Sequence, residues 1–229
     1  MLFRVLDQLL ANPIQGLVTL VSFCLALVAA ITFHEFSHAL AATLQGDSTA
    51  RRQGRLTLNP LAHLDPVGSF MILFAGFGWG RPTPVNPTRL RAGERTGMAI
   101  VSLMGPISNV LAAMIFAIPI NIGLARVSHS WLEFQGQPGD IFGHVLGSFI
   151  FWNLLLAAFN LIPVAPLDGF KVAVGVLPKE MAGQFARLER AGPAILFSVI
   201  LLDIFVLRLG ILSSVILPMI DTLERLVFL

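Results

Sequence analysis

Thr32 to His38 reads TFHEFSH and contains the pattern H-E-x-x-H. On a helix, residues four apart share a face, so the imidazoles of His34 and His38 can offer nitrogens to one ion. Glu35 stands on the same turn, placed to take a proton from an attacking water. Two histidine ligands and a carboxylate base at this spacing point to zinc-assisted peptide hydrolysis. In that chemistry the metal polarises the scissile carbonyl and brings the pKa of water down to about 7. By itself the pattern is a modest signal; its setting raises its value. Here it lies inside an apolar run, where ionisable groups are costly and mark function. If that run ends near Gln45, His38 lies about 10 Å below the membrane surface at 1.5 Å per residue. The competing reading is two histidines satisfied by neighbouring carbonyls beside a protonated Glu35.

The elements that must position these residues are membrane helices. The chain has 229 residues, 55% of them hydrophobic and only 12% charged, about half the charge of an ordinary soluble domain. About 20 apolar residues cross a hydrocarbon core of roughly 30 Å. Candidate spans run from about Ile14 to Leu44, Met98 to Leu124, Phe142 to Leu161 and Ala194 to Ile220. The last is interrupted by Asp203, Arg208 and Gly210, and is read as one span, although a hairpin or a tilted helix also fits. Met1 to Leu10 carries Arg4 and Asp7 and reads as an amphipathic interfacial helix rather than a cleaved signal. Gly68 to Gly80 is apolar but short and glycine-rich, as expected of a re-entrant or interfacial element. The prolines of the following RPTPVNPTRLR exclude a regular helix and predict an extended strand or loop. The fold class expected is therefore an all-α polytopic membrane protein of about four transmembrane helices. A three-helix core is expected to hold the site, with a small extended or re-entrant element between the first two helices. The whole chain, 1–229, reads as one membrane domain, with its catalytic core at about 14–174 and a C-terminal helical segment at about 192–229.

Cys24 is the one cysteine and can form no internal disulfide. The net charge of +2 does not argue for a nucleic-acid partner, because the basic residues cluster in loops beside the spans. Arg51, Arg52, Arg55, Arg81, Arg89, Arg91 and Arg95 lie between the first two spans, and Lys171, Lys179, Arg187 and Arg190 follow the third. The loop at 125–141 holds only Arg126, with Glu133 and Asp140. Basic loops face the cytoplasm, so the N-terminus faces outward. Spans one and three then run in the same direction and end on the cytoplasmic side.

A catalytic zinc needs a third protein ligand and an open position. Of the other histidines, His129 and His144 belong to the external loop or its edge. Asp168 is better placed: it follows span three in NLIPVAPLDG, Asn160 to Gly169, and arrives at the same face as His38. Pro163 and Pro166 stop the helix and Gly169 allows a tight turn that presents the carboxylate. A capping or loop aspartate is the competing reading.

Together, HEFSH at His34–His38 and NLIPVAPLDG at Asn160–Gly169 resemble the site-2 protease family of intramembrane zinc metalloproteases. GPISN at Gly105–Asn109 resembles that family's G-x-x-x-N element, and NPLAHLDPVGS at Asn59–Ser69 is like the linker of its compact bacterial members. The similarity covers roughly Ile31 to Val174. It implies one Zn2+ per chain held by His34, His38 and Asp168, with Glu35 as general base. It also implies that Asn160 bonds the substrate backbone or the developing oxyanion, and that PDZ and CBS modules are absent.

Asn109, mid-span beside Gly105 and Pro106, is a candidate for positioning substrate and equally for joining helices. His63 is expected to bond a loop carbonyl, with approach to the zinc or gating as alternatives. Asp65 is expected to cap or to pair with an arginine, and Asp203 and Arg208 to neutralise each other or face a cavity. Gly68 to Asn86 is the segment expected to handle substrate by strand addition. The function expected is a zinc endopeptidase of the cell membrane, multi-pass, its site toward the cytoplasm, cleaving transmembrane proteins or peptides in or near the lipid bilayer. A non-proteolytic zinc-binding scaffold or transporter is the alternative.

Overall fold

The computed structural model describes residues 2–75, 78–126, 136, 140–203 and 210–228. Its helices are α1 (Leu2–Ala11), α2 (Pro13–Leu44), α3 (Thr49–Arg52), α4 (Pro66–Ala75), α5 (Glu94–Asn121), α6 (Ile141–Asn160), α7 (Asp168–Val176), α8 (Lys179–Ala186), α9 (Gly192–Leu201) and α10 (Ile211–Val227). There is no sheet among the described residues; Leu64 and Gly80 form an isolated bridge. Three helices, α2, α5 and α6, are long and apolar enough to cross a bilayer.

Local sequence accounts for where α2 starts. Asn12 accepts a hydrogen bond from the Gln15 amide at 3.3 Å, and Pro13 sits at the first helical position, where its missing N–H costs nothing. Between helices, close approach is bought with small side chains: Ala26, Ala30, Ala39, Ala42, Ala113, Ala117, Ala157 and Ala158 are all fully buried. That is how membrane helices pack when lipid removes the hydrophobic drive for association. One cluster joins Ala113 and Ala117 of α5 to Ile150 and Leu154 of α6 and Val227 of α10. Another sets Phe23 and Ile31 of α2 against Ile72 of α4, with Trp152 and Leu156 of α6 beside them.

These contacts fix helix directions. Phe23 stacks edge-on against Trp152 with ring centroids 4.8 Å apart, and further along both chains His34 meets Asp168. Helices α2 and α6 therefore run the same way. Along α5 the order reverses: Gly97 bonds Gln45 at the end of α2, while Asn109 bonds Ala30 farther back. The parallel first and third spans expected from the loop charges are present.

Within Gly68 to Gly80 the described residues form the short helix α4 and, at 78–80, a segment lying back against it. Helix α4 has ten residues, about 15 Å at 1.5 Å per residue, or half a hydrocarbon core. The returning chain lies on it backbone to backbone. A Cβ on Gly68 would meet the Trp79 carbonyl oxygen at 2.0 Å, and one on Gly78 would meet the Gly68 oxygen at 2.1 Å. Only paired glycines permit that approach. Asp65 caps α4 by accepting from the Gly68 amide at 2.8 Å. Residues 81–86 have no regular secondary structure.

One expectation needs correction. Among the described residues of Ala194 to Ile220 there are two helices, α9 and α10, with Gly210 before the second in the left-handed region at φ 68°. The break follows from Asp203, whose two carboxylate oxygens accept from the Ile211 and Leu212 amides at 2.9 Å each. Those amides are free because they open a helix, and a continuous helix would have left the carboxylate buried without donors. Arg208, the partner expected for Asp203, lies outside the described residues.

Candidate metal centre

His34 and His38 face the same side of α2, with ring centroids 4.6 Å apart and planes at 89°. Both are buried, at 5% and 7% exposure. Each ring is anchored through Nδ1. His34 Nδ1 donates to Asn109 Oδ1 at 2.8 Å, and His38 Nδ1 donates to the Val101 carbonyl oxygen at 2.8 Å. With Nδ1 committed, Nε2 is the nitrogen each ring has left for an ion. Both Nε2 atoms face one atom: Asp168 Oδ2 is 2.9 Å from His34 Nε2 and 3.0 Å from His38 Nε2.

The carboxylate is brought there by a change of direction after α6. That helix ends at Asn160. Residues 161–167 form turns with a cis Ala165–Pro166 bond, and Asp168 opens α7. The tight turn expected at Gly169 is instead the first turn of a helix, where free amides and the helix dipole favour a carboxylate. Helix α7 is tied to the start of α5, the Arg95 guanidinium donating to the Gly175 carbonyl oxygen at 3.2 Å. Asp168 keeps only 12% of its side chain exposed. Burial pushes its carboxyl up, but the His38 and His34 rings outweigh that and hold it well below the usual carboxylate range.

The donor set fits a metal. Two imidazole nitrogens and a carboxylate oxygen lie within 4.8 Å of one another, and one cation among them could bind all three. Nitrogen and carboxylate ligands in this number suit zinc with a fourth position open. The helix α5 backbone passes directly beneath: a Cβ on Gly105 would lie 2.5 Å from His38 Cε1 and 2.6 Å from His34 Cε1. Pro106 follows, a residue that weakens the ladder of its own helix at this point.

Glu35 lies one residue along α2 and is held by the unstructured segment after α4. The Thr83 amide donates to Glu35 Oε2 at 2.9 Å, and the Thr83 hydroxyl donates to the Glu35 carbonyl oxygen at 3.0 Å. That segment is itself pinned. The buried Arg55 guanidinium donates to the carbonyl oxygens of Arg81 and Pro82, and the fully buried Asp47 accepts from the Asn86 amide at 2.6 Å.

Comparison with known proteins places this geometry. Residues 22–205 match Peptidase family M50. The chain belongs to that family. It is 36% identical over 217 residues, 94% of its own length and 92% of the relative's, to the protein named "Putative zinc metalloprotease YwhC" of Bacillus subtilis (strain 168). It is 29% identical over 143 residues to "Putative zinc metalloprotease Rip2" of Mycolicibacterium smegmatis (strain ATCC 700084 / mc(2)155), covering 61% of this chain and 51% of that one. The Rip2 of Mycobacterium tuberculosis (strain ATCC 25618 / H37Rv) is 30% identical over 157 residues, 66% of this chain and 52% of the relative. No solved structure matches. The resemblance to site-2 proteases is thereby borne out, and with it zinc as cofactor and a multi-pass membrane protease as the broad class.

The other expected residues fall in different places. Asn109 is fully buried, and its polar atoms are engaged: Oδ1 by His34, and Nδ2 by Ala30 O at 2.9 Å and Asn153 Oδ1 at 2.8 Å. Asn160 donates from Nδ2 to its own helix, to Leu156 O at 3.0 Å. His63 is fully buried with Nε2 donating to Thr57 O at 2.8 Å, the loop carbonyl it was expected to find. His144 sits sixteen residues before Asn160 on α6, about 24 Å away along the axis. His129 lies outside the described residues. Asn153, fully buried on α6, was passed over in the sequence, although an amide inside an apolar span is itself a signal.

Proposed function

We propose that this M50 protein is an intramembrane zinc endopeptidase. It would hydrolyse peptide bonds of membrane-embedded proteins or peptides at a centre facing the cytoplasmic side of the cell membrane. The observation that carries this reading is the convergence of His34, His38 and Asp168 on one point, the two histidines and Glu35 standing on a membrane-length helix.

His34 Nε2, His38 Nε2 and one Asp168 oxygen would hold a single Zn2+, which when bound supplies a Lewis acid for the scissile carbonyl and acidifies the attacking water. Glu35 takes the proton of that water and passes it to the leaving amine, a role worth about 10²–10⁴ in rate. The Thr83 amide holds one Glu35 oxygen and leaves the other to the water. A substrate helix hides its carbonyls in its own hydrogen bonds, so it must unwind locally. The chain at 81–86, lying against Glu35, offers an edge on which an unwound strand can pair. Asn160 donates one Nδ2 hydrogen to Leu156, and its second can serve an oxyanion. Asn109 has no polar atom left for substrate, and its role here is to orient His34. The arginines and lysines of 51–95 and 171–190 support a cytoplasmic placement for this end of the molecule, and nothing in the chemistry calls for nucleic acid.

Glu35→Gln tests the reading. Metal analysis of the detergent-purified protein should find zinc retained, while cleavage of a transmembrane reporter falls by about 10²–10⁴-fold. Cleavage at the wild-type rate would remove Glu35 as the base. A scaffold or transporter reading predicts no separation between zinc content and activity.

A further inference from the structure

We infer that Asn153 of α6 is a positioning residue for the metal centre: it fixes which end of the Asn109 carboxamide faces His34, and so which nitrogen of His34 carries the proton. The inference rests on the reading of His34 as a zinc ligand.

The argument runs through donors and acceptors. Asn153 Nδ2 donates to the Phe149 carbonyl oxygen, four residues back on its own helix, at 2.8 Å. That bond leaves Asn153 Oδ1 facing α5 as an acceptor. Asn109 Nδ2 answers it at 2.8 Å and also donates to the Ala30 oxygen at 2.9 Å. Both hydrogens of the Asn109 amide are then used, and both point away from His34. Asn109 Oδ1 is left facing the ring, and an oxygen there can be met only by an Nδ1–H. Nε2, the atom on the Asp168 side, is then the nitrogen available to an ion.

Reversing Asn109 would set its oxygen against the Ala30 and Asn153 oxygens and its amine against His34. The ring would answer with a proton on Nε2, which cannot ligate. Asn153 removes one half of that freedom and the Ala30 carbonyl the other half. All of this lies in a dry interior: Asn109 and Asn153 are fully buried, so water cannot stand in for a missing acceptor. Outer partners of metal-bound histidines set tautomer and orientation, and their loss costs about 10–100-fold in metal affinity.

The test uses the full chain in detergent, with histidine rings labelled by 15N. In zinc-stripped protein, long-range proton–nitrogen spectra read whether His34 Nδ1 carries a proton, and competition against a chromophoric chelator reads zinc affinity. Asn153→Ala should cost a fraction of His34 its Nδ1–H and weaken zinc binding by about 10–100-fold. Asn153→Asp, protonated in this interior, donates to Phe149 and accepts from Asn109, and should keep both wild-type properties. A simple packing role predicts lower stability in Asn153→Ala with the His34 tautomer unmoved.

Zinc affinity within twofold of wild type and an intact Nδ1–H in Asn153→Ala would overturn the inference. So would a loss in Asn153→Asp as large as in the alanine variant. If Asn153→Ala folds poorly, Asn153→Ser decides: its short hydroxyl bonds its own helix and supplies no acceptor to Asn109, so zinc binding should weaken likewise, and affinity within twofold of wild type overturns the inference. His34→Ala separates the two levels: undiminished zinc there defeats the ligand reading, whereas zinc loss there with a wild-type Asn153→Ala defeats this inference alone.

Discussion

Gly105→Ala offers a sharp test of the geometry, because one methyl group meets both ring ligands. A Cβ at 105 would lie 2.5 Å from His38 Cε1, 2.6 Å from His34 Cε1 and 2.6 Å from His38 Nε2. Ordinary contact between such atoms is about 3.5–4.0 Å, so each ring must retreat by about 1 Å. Neither has room to pivot freely, since each is held through Nδ1 at 2.8 Å, to Asn109 and to Val101. Zinc–nitrogen bonds tolerate about 0.2 Å of error, several times less than the displacement required. An overpacked contact costs about 1–3 kcal/mol, and two such contacts must be overcome to restore the bound arrangement. At about 1.4 kcal/mol per decade, zinc affinity should fall by about 30-fold at the least. The assay is chelator competition on detergent-purified protein, with thermal unfolding to show that the helices remain packed. Gly183→Ala is the control, since nothing lies within 4 Å of a Cβ there. Gly105→Ala binding zinc within threefold of wild type would refute the placement of the two imidazoles against α5.

Two further outcomes follow from the segment that holds Glu35. Thr83→Pro removes the amide that bonds Glu35 Oε2, a hydrogen bond to a charged group worth about 1.5–3 kcal/mol. Reporter cleavage should fall by about 10–100-fold with zinc content unchanged, while Thr83→Val, which keeps the amide, should fall far less. Asp47 gives a pH signature. Burial pushes its carboxyl up, but hydrogen bonds from Thr49 and Asn86, with the nearby Arg89, more than offset this and hold it below its ordinary value. Its contribution is therefore complete above about pH 4, the ordinary aspartate value, and is lost as pH falls through the lower folded value. Asp47→Asn should lower the unfolding temperature at neutral pH, and the gap to wild type should close on acidification below about pH 4. A gap that persists unchanged at low pH would separate Asp47 from this role.

The parts of the molecule that were legible from residues alone are those governed by one strong term. The cost of ionisable groups in a membrane singled out His34, Glu35 and His38, and loop charge made the first and third spans parallel. That parity brought Asp168 to the correct end before any contact was known. Less legible were features that depend on what a side chain meets in space. Asn109 and Asn153 are both amides in apolar helices, but only the packed structure shows that one holds the other and the first holds His34. The Thr83 to Glu35 bond joins positions 48 apart, and no periodicity announces it. The division of 194–220 was hidden for a similar reason: Asp203 is satisfied by amides of residues 211 and 212, and hydropathy averages over such a pairing.

Helix α2 has 32 residues, about 48 Å of rigid rod against a hydrocarbon core of about 30 Å. A rod that exceeds its slab answers changes in slab thickness by leaning. Taking its lean from 20° to 30° lowers its reach along the bilayer normal by about 4 Å. The imidazoles are fixed to that rod, so a thicker or thinner lipid environment resets how far beneath the headgroups they ride. Acyl-chain length thus acts on the depth of the candidate metal centre, without calling for a change in the contacts around it.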